Sequence, residues 1–299
     1  MSARNTFGAV FVVVLVGGAV ALVMHERKEV SRAASVGEPG VGAQPTERAV
    51  SSGQPPALNS PAASAHPSDS KKPGAPMEAS SPIRAGETWD FSANVSKLSA
   101  VANLKLKVAE KRDFLGRSAW HLQAFAHTEN PLRMVFELDD QFDSYSDAAS
   151  LVSMQYEMHL NERGQAVDSV QRLTASGREP APGNATAARV LPGTRDPLGM
   201  MQYLRTVDWA KTPEVSGPVY DGHKLYEARA RMVARGEAVT VPAGNFSTLK
   251  IDLRVFENGV EMKDAHFTLY IADNEARTPV LLEAVMPFAT ARVELVKAQ

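Results

Sequence analysis

From Leu104 onward the chain repeats one pattern, in which apolar and polar residues alternate with a period of two. Leu104, Leu106 and Val108 alternate with lysines, and the pattern then recurs along the chain. Successive side chains of a β-strand point to opposite faces, so each segment predicts a strand with one apolar and one solvated face. The later apolar sets are Trp120, Leu122 and Ala124; Tyr156, Met158 and Leu160; Leu249, Ile251, Leu253 and Val255; and Phe267, Leu269 and Ile271.

The turns between these segments predict antiparallel pairing of consecutive strands. Asn258-Gly259 is the strongest signal, because a type I′ hairpin needs positive φ at both central residues. We therefore expect a tight turn over Glu257 to Val260. Thr278 to Phe288 and Ala291 to Val296 predict two closing strands, separated near Pro287, which cannot donate a ladder hydrogen bond.

One segment has helical spacing instead. It runs from Asp196 to Trp209, with Asp196 as the predicted N-cap and Pro197 in the first turn. A sheet with one apolar face must cover that face by curling or by packing on a helix. The predicted fold class is mainly β, a strongly curved antiparallel sheet forming a half-barrel or open barrel. We expect about eight to eleven strands, with one short amphipathic helix plugging or flanking the concave face.

An uncharged apolar run from Phe7 to Met24 precedes all of this. At about 1.5 Å per residue it spans roughly 27 Å, close to the thickness of a bilayer's hydrocarbon layer. It is longer than a cleaved signal peptide's apolar core usually is. The sequence therefore predicts an N-terminal signal anchor over residues 1–29, a transmembrane helix, with cleavage as the alternative.

Residues 30–82 are rich in Pro, Ala and Ser and contain few large apolar residues. A segment of this composition buries too little apolar surface to offset the conformational entropy that it would lose on folding. We therefore expect a disordered linker with a reach of about 40 Å. Residues 83–299 remain as one β-rich domain. We expect the inner membrane of a bacterial envelope, with this domain on the periplasmic side. There is no cysteine, which leaves the redox compartment open.

Charge and motifs exclude several classes of function. The formal net charge is −2, and no basic stripe points to nucleic acid. No glycine-rich loop is followed by Lys-Ser or Lys-Thr, which argues against nucleotide binding. We predict no cofactor.

No catalytic or metal site is predicted either. The histidines of the β-rich part, His121, His127, His159, His223 and His266, lack ligand spacing, and no serine has the glycines of a nucleophile elbow. Asp139, Asp140, Asp143 and Asp147 could suggest a calcium loop, but the turn glycine and the closing glutamate are missing. Trp89, Trp120 and Trp209 could line an apolar cavity, although core packing is the simpler interpretation. Ligand-binding residues stay unassigned.

Four pieces in order resemble the bacterial domain-of-unknown-function family 3108. They are Gly86 to Phe91, Asp196 to Arg205, Asp221 to Tyr226 and Val241 to Phe246. The resemblance covers about Gly86 to Leu295. It implies an exported or envelope protein with a curved β-rich fold, and it carries no catalytic residues.

The leading hypothesis is a membrane-tethered, non-catalytic envelope domain that binds an apolar or lipid-like ligand on its concave face. The reason for this hypothesis is that the predicted sheet has one apolar face and the sequence predicts too little helix to cover it. The alternatives are a scaffold that binds an envelope protein through a sheet edge, and a hydrolase whose site is assembled from distant residues.

Overall fold

The computed structural model describes residues 12–16, 19–23, 81–135, 137–175, 184–263, 266–285 and 289–299. In these residues, fourteen strands form one sheet, and two further strands form a separate hairpin. The strands are β1 (Val12–Val16), β2 (Ala19–Val23), β3 (Thr88–Val95), β4 (Leu98–Phe114), β5 (Arg117–Thr128), β6 (Asp139–Asp147), β7 (Ser153–Glu162), β8 (Gln165–Thr174), β9 (Thr186–Arg189), β10 (Glu214–Tyr220), β11 (Leu225–Val241), β12 (Gly244–Glu257), β13 (Val260–Glu261), β14 (His266–Ala272), β15 (Pro279–Val285) and β16 (Thr290–Ala298). The helices are α1 (Leu132–Val135) and α2 (Pro197–Thr206).

The large sheet is almost entirely antiparallel, as the turn pattern predicts. Its strand order is β10-β11-β12-β14-β15-β16-β3-β4-β5-β6-β7-β8-β9, with β13 pairing β12. Only β9 runs parallel to its neighbour. The predicted Asn258-Gly259 turn is confirmed: both residues have positive φ, 52° and 79°, and Glu257 pairs with Val260. The closing strands are β15 and β16, while Pro287 lies outside the described residues.

The prediction of eight to eleven strands is too low. The most instructive omission is β6, whose sequence DDQFDSYSD has the composition of a solvated loop. In the structure its inward-facing positions include Ser144 and Ser146, and both side chains are buried. Their hydroxyls are hydrogen-bonded within the core, so polar residues occupy places where the alternation rule expects apolar ones.

The sheet curls until its two edges approach each other. The first and last long strands, β3 and β16, pair directly. At the open seam between β9 and β10, Arg195 forms a bridge to Val219 while the preceding Thr194 carbonyl accepts from the Ser153 amide, 3.1 Å away. Gln171 of β8 donates to the Gly222 carbonyl at 2.7 Å. The result is an open barrel whose seam is held by a few specific contacts.

Helix α2 lies on the concave side of this barrel. Eight of its ten residues are buried, and they belong to the same apolar core as the inward-facing residues of the strands. A helix buried on all sides needs protein around it. The predicted helix is present and is buried in the core, although it ends at Thr206 instead of continuing to Trp209.

The N-terminal apolar run differs from its prediction. Its two described segments, β1 and β2, are antiparallel strands with Val12 opposite Val23, where the sequence predicts a transmembrane helix. Six of these ten residues are valine, whose branched side chain favours strands. The rest of the predicted anchor and the predicted linker up to residue 80 lie outside the described residues. Across the described segments, no helix has both the length and the apolar character required to cross a bilayer.

Gly222 provides a test of the seam. Its φ is +100°, and a Cβ there would lie 2.4 Å from the Met158 Sδ. We expect Gly222→Ala to lower the free energy of unfolding by about 2–4 kcal/mol, because backbone strain and overpacking add. Chemical denaturation measures this. The control is Gly116→Ala, where φ is +73° but the space is open; it should cost only about 1 kcal/mol. Equal losses would show that the seam contact does not matter.

Candidate functional site

The N-terminus of α2 is held by a buried cluster of oxygen atoms. Asp196 is fully buried, and its carboxylate accepts from the Gly199 amide at 2.8 Å and from the Ser144 hydroxyl at 2.5 Å. Its own amide donates to the Ser153 Oγ at 2.7 Å. Burial raises the pKa of Asp196, and these hydrogen bonds oppose that shift. The predicted N-cap is therefore confirmed, with support from two strands.

Gly199 has no side chain, and this lets the first turn of α2 lie close to the serines of the cluster. A Cβ at this position would lie 2.9 Å from the Oγ atoms of Ser146 and Ser153. The close approach of α2 to the serines therefore needs glycine. The Asp-Pro-Leu-Gly sequence that opens the helix is accounted for by capping and packing.

The C-terminal end of α2 is held by Arg205, whose side chain is completely buried. Its guanidinium forms two hydrogen bonds of 3.1 Å to the Glu87 carboxylate and one of 2.6 Å to Gln202. It also donates to the carbonyls of Pro82, Ala276 and Arg277. Its carbon Cζ lies 4.5 Å from the ring centre of Trp89. Burial lowers the pKa of Arg205, and the pairing with Glu87 raises it.

These two networks connect α2 to several distant parts of the sheet. Both are saturated with protein partners, and the hydroxyls of Ser144 and Ser146 bond to other hydroxyls and to Asp196. Such an arrangement fixes a helix in place. It does not present a nucleophile with a base beside it, as acyl transfer requires.

Four of the five histidines contact carboxylates, which the sequence did not reveal. His121 donates to Asp143 at 2.7 Å across the pair β5 and β6, and His159 Nδ1 lies 2.7 Å from Asp168. The other pairs are His127 with Glu129 and His266 with Asp252. For His121, His159 and His266 the missing signal was strand register, because these partners are neighbours only after the strands pair. His127 and Glu129 are two residues apart in the sequence.

The pair His121 and Asp143 lies on the outer face of the sheet. Burial would raise the pKa of Asp143, but hydrogen bonds from His121, Gln141 and Gln123 lower it overall. The His121 ring stacks on Tyr145 with centroids 4.6 Å apart. The pair is thus enclosed by polar and aromatic neighbours that fix it in place.

The aspartates considered as a calcium loop lie along strand β6. Asp139 pairs with Arg133 at 2.7 Å, and Asp147 pairs with Arg117 at 2.6 Å. Asp140 faces the opposite side from the other three, which share the outer face but are four residues apart, about 13 Å at ~3.3 Å per residue. The four side chains therefore do not converge on one point. Among the described residues, no group of three or more His, Asp or Glu side chains could hold a metal ion.

Asp140 is an unusual buried acid at the end of β6. One carboxylate oxygen accepts from the Asn161 amide at 2.9 Å, and the other has no hydrogen-bond partner. Burial raises the pKa of Asp140 to about 6, with a further contribution from the negative charge of Glu162. This carboxyl group therefore changes charge near physiological pH.

A cleft of about 420 Å³ lies on the outer face over β10 to β13. Its lining carries three arginines and three acids: Glu214, Arg229, Arg231, Asp252, Arg254 and Glu261. Arg254 pairs with both Asp252 and Glu261 at 3.0 and 2.8 Å. The positive and negative charges balance, which is typical of a solvated ion-pair network.

Arg205 gives the first test of this region. We expect Arg205→Met to lower the free energy of unfolding by at least about 3 kcal/mol, because it leaves Glu87 and three carbonyls without their donor. Chemical denaturation gives the value. Arg277→Met is the control: that guanidinium pairs with Asp273 at 3.2 Å and is partly exposed, so it should cost under about 1 kcal/mol. Similar losses would show that Arg205 is not the anchor of α2.

Asp140 gives a pH-dependent test. Its pKa is higher in the folded state than its ordinary value of 3.8, so its contribution to stability is complete below about pH 4 and is lost as pH rises through 6. Asp140→Asn should remove this loss and add on the order of 2 kcal/mol at pH 7.5. Denaturation at pH 4.5 and 7.5 measures it.

The neighbouring residue provides the matched control. The Arg133 guanidinium lowers the pKa of Asp139, so Asp139 contributes stability above pH 4 that is lost as pH falls. Asp139→Asn should therefore leave the difference in stability between pH 4.5 and 7.5 unchanged and affect the pH dependence only below about pH 4. A pH profile that Asp140→Asn leaves unchanged would contradict the assignment.

Solved structures of similar chains are distant. A β-barrel-like protein of domain-of-unknown-function family DUF1849 from Brucella abortus is 11% identical, with 72% of this chain and 97% of that chain covered and a TM-score of 0.45. A candidate exported protein with a YmcC-like fold from Bacteroides fragilis is 12% identical, with 73% and 97% covered and a TM-score of 0.32. A candidate lipoprotein from Parabacteroides distasonis is 13% identical, with 72% and 96% covered and a TM-score of 0.34.

The family comparison is more informative than these structures. No curated protein matches the sequence. The model of a family described as a protein of unknown function, DUF3108, matches residues 90–296, which is 207 of 299 residues. This range contains β4 to β15, α2 and most of β3 and β16, and it confirms the resemblance carried by the four sequence pieces. The chain belongs to the DUF3108 family.

Proposed function

We propose that this protein is a membrane-tethered, non-catalytic domain of the bacterial envelope that binds an apolar, lipid-like ligand inside its open barrel. The observation that carries this proposal is the distribution of side-chain size on the concave face. Large inward-facing side chains such as Trp89 and Leu106 lie near α2, while alanines recur toward the other end of the same strands. The hairpin of β1 and β2 also lies against α2, and β1 lies against β5.

Small side chains recur in a band across five neighbouring strands, with Val95 opposite Ala291 and Val293 opposite Ala93. They are alanines that face the interior on β15, β16, β3, β4 and β5, and register places Ala284 opposite Ala291 and Ala93 opposite Ala102. Each is buried or half-buried and packs in the core. The full set is Ala284, Ala291, Ala93, Ala102 and Ala126.

Helix α2 is too short to cover this band as well. Its ten residues extend about 15 Å, whereas a ten-residue strand extends about 33 Å and β4 and β11 have seventeen residues each. A barrel of about eight strands is just filled by side chains, and larger ones enclose ligand space. The breadth of thirteen strands in one curved path supports a ligand-binding interior, in which β1 and β2 also lie against α2.

The envelope location rests on the sequence. The apolar run Phe7 to Met24 and the Pro/Ala/Ser-rich residues after it have the form of an anchor and a tether. The run contains paired strands in the structure, but in a bilayer it would be helical, because only a helix satisfies its backbone groups within one segment. The inner membrane with a periplasmic domain is the location proposed.

The non-catalytic part of the proposal rests on how the polar groups are used. The buried serines and Asp196 hold α2, and His121 donates to an enclosed carboxylate on the outer face. A hydrolase would need a serine and a histidine together in a cleft. The geometry favours binding over hydrolysis.

A scaffold is the second candidate, favoured by one sheet edge. Strand β10 pairs with β11 only up to Arg231, so the outer edge of β11 beyond that residue has no strand partner among the described residues. The stretch Val233 to Val239 has the sequence VARGEAV, in which the charged residues Arg235 and Glu237 flank Gly236. Register shifts beside Gly236 interrupt this edge, and bulges and charges protect edges from pairing. The ligand-binding proposal is therefore preferred.

The test is lipid analysis of the full chain purified from a bacterial host. We expect the wild-type protein to retain apolar lipid, and Ala102→Phe to retain at least about fivefold less, because a phenyl ring at this position would compete with a ligand for interior volume. Ala238→Phe is the control, since Ala238 is exposed on β11. Circular dichroism confirms that each variant is folded. A folded wild-type protein without lipid would overturn the proposal, and a specific partner that copurifies with it would favour the scaffold.

A further inference from the structure

The cleft on the outer face over β10 to β13 is built from residues of one chemical type. Its volume of about 420 Å³ lies in the range of small-molecule sites. Most such sites are lined by apolar and aromatic side chains, whereas every residue that lines this cleft is charged. A ligand that fits here must therefore carry charges of its own.

Two of the three arginines in the cleft are held by acidic neighbours. Arg254 pairs with Asp252 at 3.0 Å. Arg229 donates twice to the Glu227 carboxylate, at 2.8 and 3.2 Å. The guanidinium carbon of Arg229 also lies 4.0 Å from the ring centre of Phe256, a cation–π contact. These contacts fix the orientation of both arginines and give the cleft defined walls.

Arg231 differs from the other two arginines. Strand register places Glu214 opposite it on β10 and Asp252 opposite it on β12, and opposite charges in such positions attract each other. The Asp252 carboxylate is nevertheless occupied by Arg254 and His266. In the part of the chain that the structure describes, the side chains of Arg231 and Glu214 form no hydrogen bond and no ion pair within 4.0 Å.

Arg231 and Glu214 present opposite charges to the same space. Both line the cleft and both are exposed, and residues directly opposite on antiparallel strands have Cα atoms about 5 Å apart. The Glu227 carboxylate raises the pKa of Arg229, and the negative charge of Glu214 adds to this rise, so Glu214 lies within electrostatic reach of the arginines. The other four residues that line the cleft are two arginines and two acids, so their charges cancel.

We propose that this cleft binds a small zwitterion, of the size of an amino acid or a dipeptide, whose carboxylate pairs with Arg231 and whose ammonium group pairs with Glu214. A guanidinium binds a carboxylate through two parallel hydrogen bonds, and Arg231 can do so without breaking the ion pairs of Arg229 and Arg254. A ligand with a single charge is attracted by one of the two groups and repelled by the other. This site lies on the outer face and does not depend on the proposed function.

The test is a ligand-observed NMR titration of the full chain in detergent with the dipeptide alanyl-alanine. We expect saturable binding to the wild-type protein. N-acetyl-alanyl-alanine lacks the ammonium group and alanyl-alanine amide lacks the carboxylate, so each should bind at least about threefold more weakly, the scale of an exposed ion pair. If alanyl-alanine does not bind, or if the three compounds bind equally well, the proposal is wrong.

Two variants assign each charge of the ligand to its residue. Arg231→Gln should weaken the binding of alanyl-alanine but not that of its amide, which has already lost the carboxylate. Glu214→Gln should weaken the binding of alanyl-alanine but not that of the acetylated compound. Arg112→Gln is the control, because Arg112 is similarly exposed and pairs with Glu110 at 3.1 Å on β4. Circular dichroism checks that each variant is folded. A loss that is the same for all three compounds, or a similar loss in the control, would overturn the assignment.

Discussion

The fold depends on how one short helix is fixed inside a sheet that is too large for it. Helix α2 could satisfy its ends with water on a surface, but inside a barrel its terminal amides and carbonyls need protein partners. Asp196 with its serines meets this need at one end, and Arg205 with Glu87 joins the other end to the start of β3. Because these groups come from distant strands, the helix also holds together parts of the sheet that do not pair with each other.

The predictions from sequence succeed where side-chain alternation or turn chemistry decides the structure. The strands from Leu104 onward, the Asn258-Gly259 turn and the cap at Asp196 all depend on neighbours a few residues apart. The failures involve partners that are distant in sequence. Strand β6 was missed because its polar inward residues are satisfied by α2, about fifty residues later. Arg205 was missed because Glu87 lies 118 residues away.

The polar residues of this protein support its architecture in three different ways. The serines around Asp196 stabilise its buried carboxylate, to which the Ser144 hydroxyl donates a hydrogen bond. The pairs of histidine and carboxylate side chains stabilise the outer face of the sheet. Asp140 is different, because one of its oxygens is buried without a partner and its pKa is raised to about 6. This residue makes the stability of the barrel depend on pH around 6.

The direct pairing of β3 with β16 has a consequence for how the chain acquires its structure. Asn94 and Glu294 are hydrogen-bonded across two hundred residues of sequence, so the central pair of strands cannot form until the ribosome has synthesised almost the last residue. Proteins dominated by such remote contacts fold slowly. A chain that must wait for such a remote partner keeps its apolar strand faces exposed for longer before they are buried, which favours aggregation during folding.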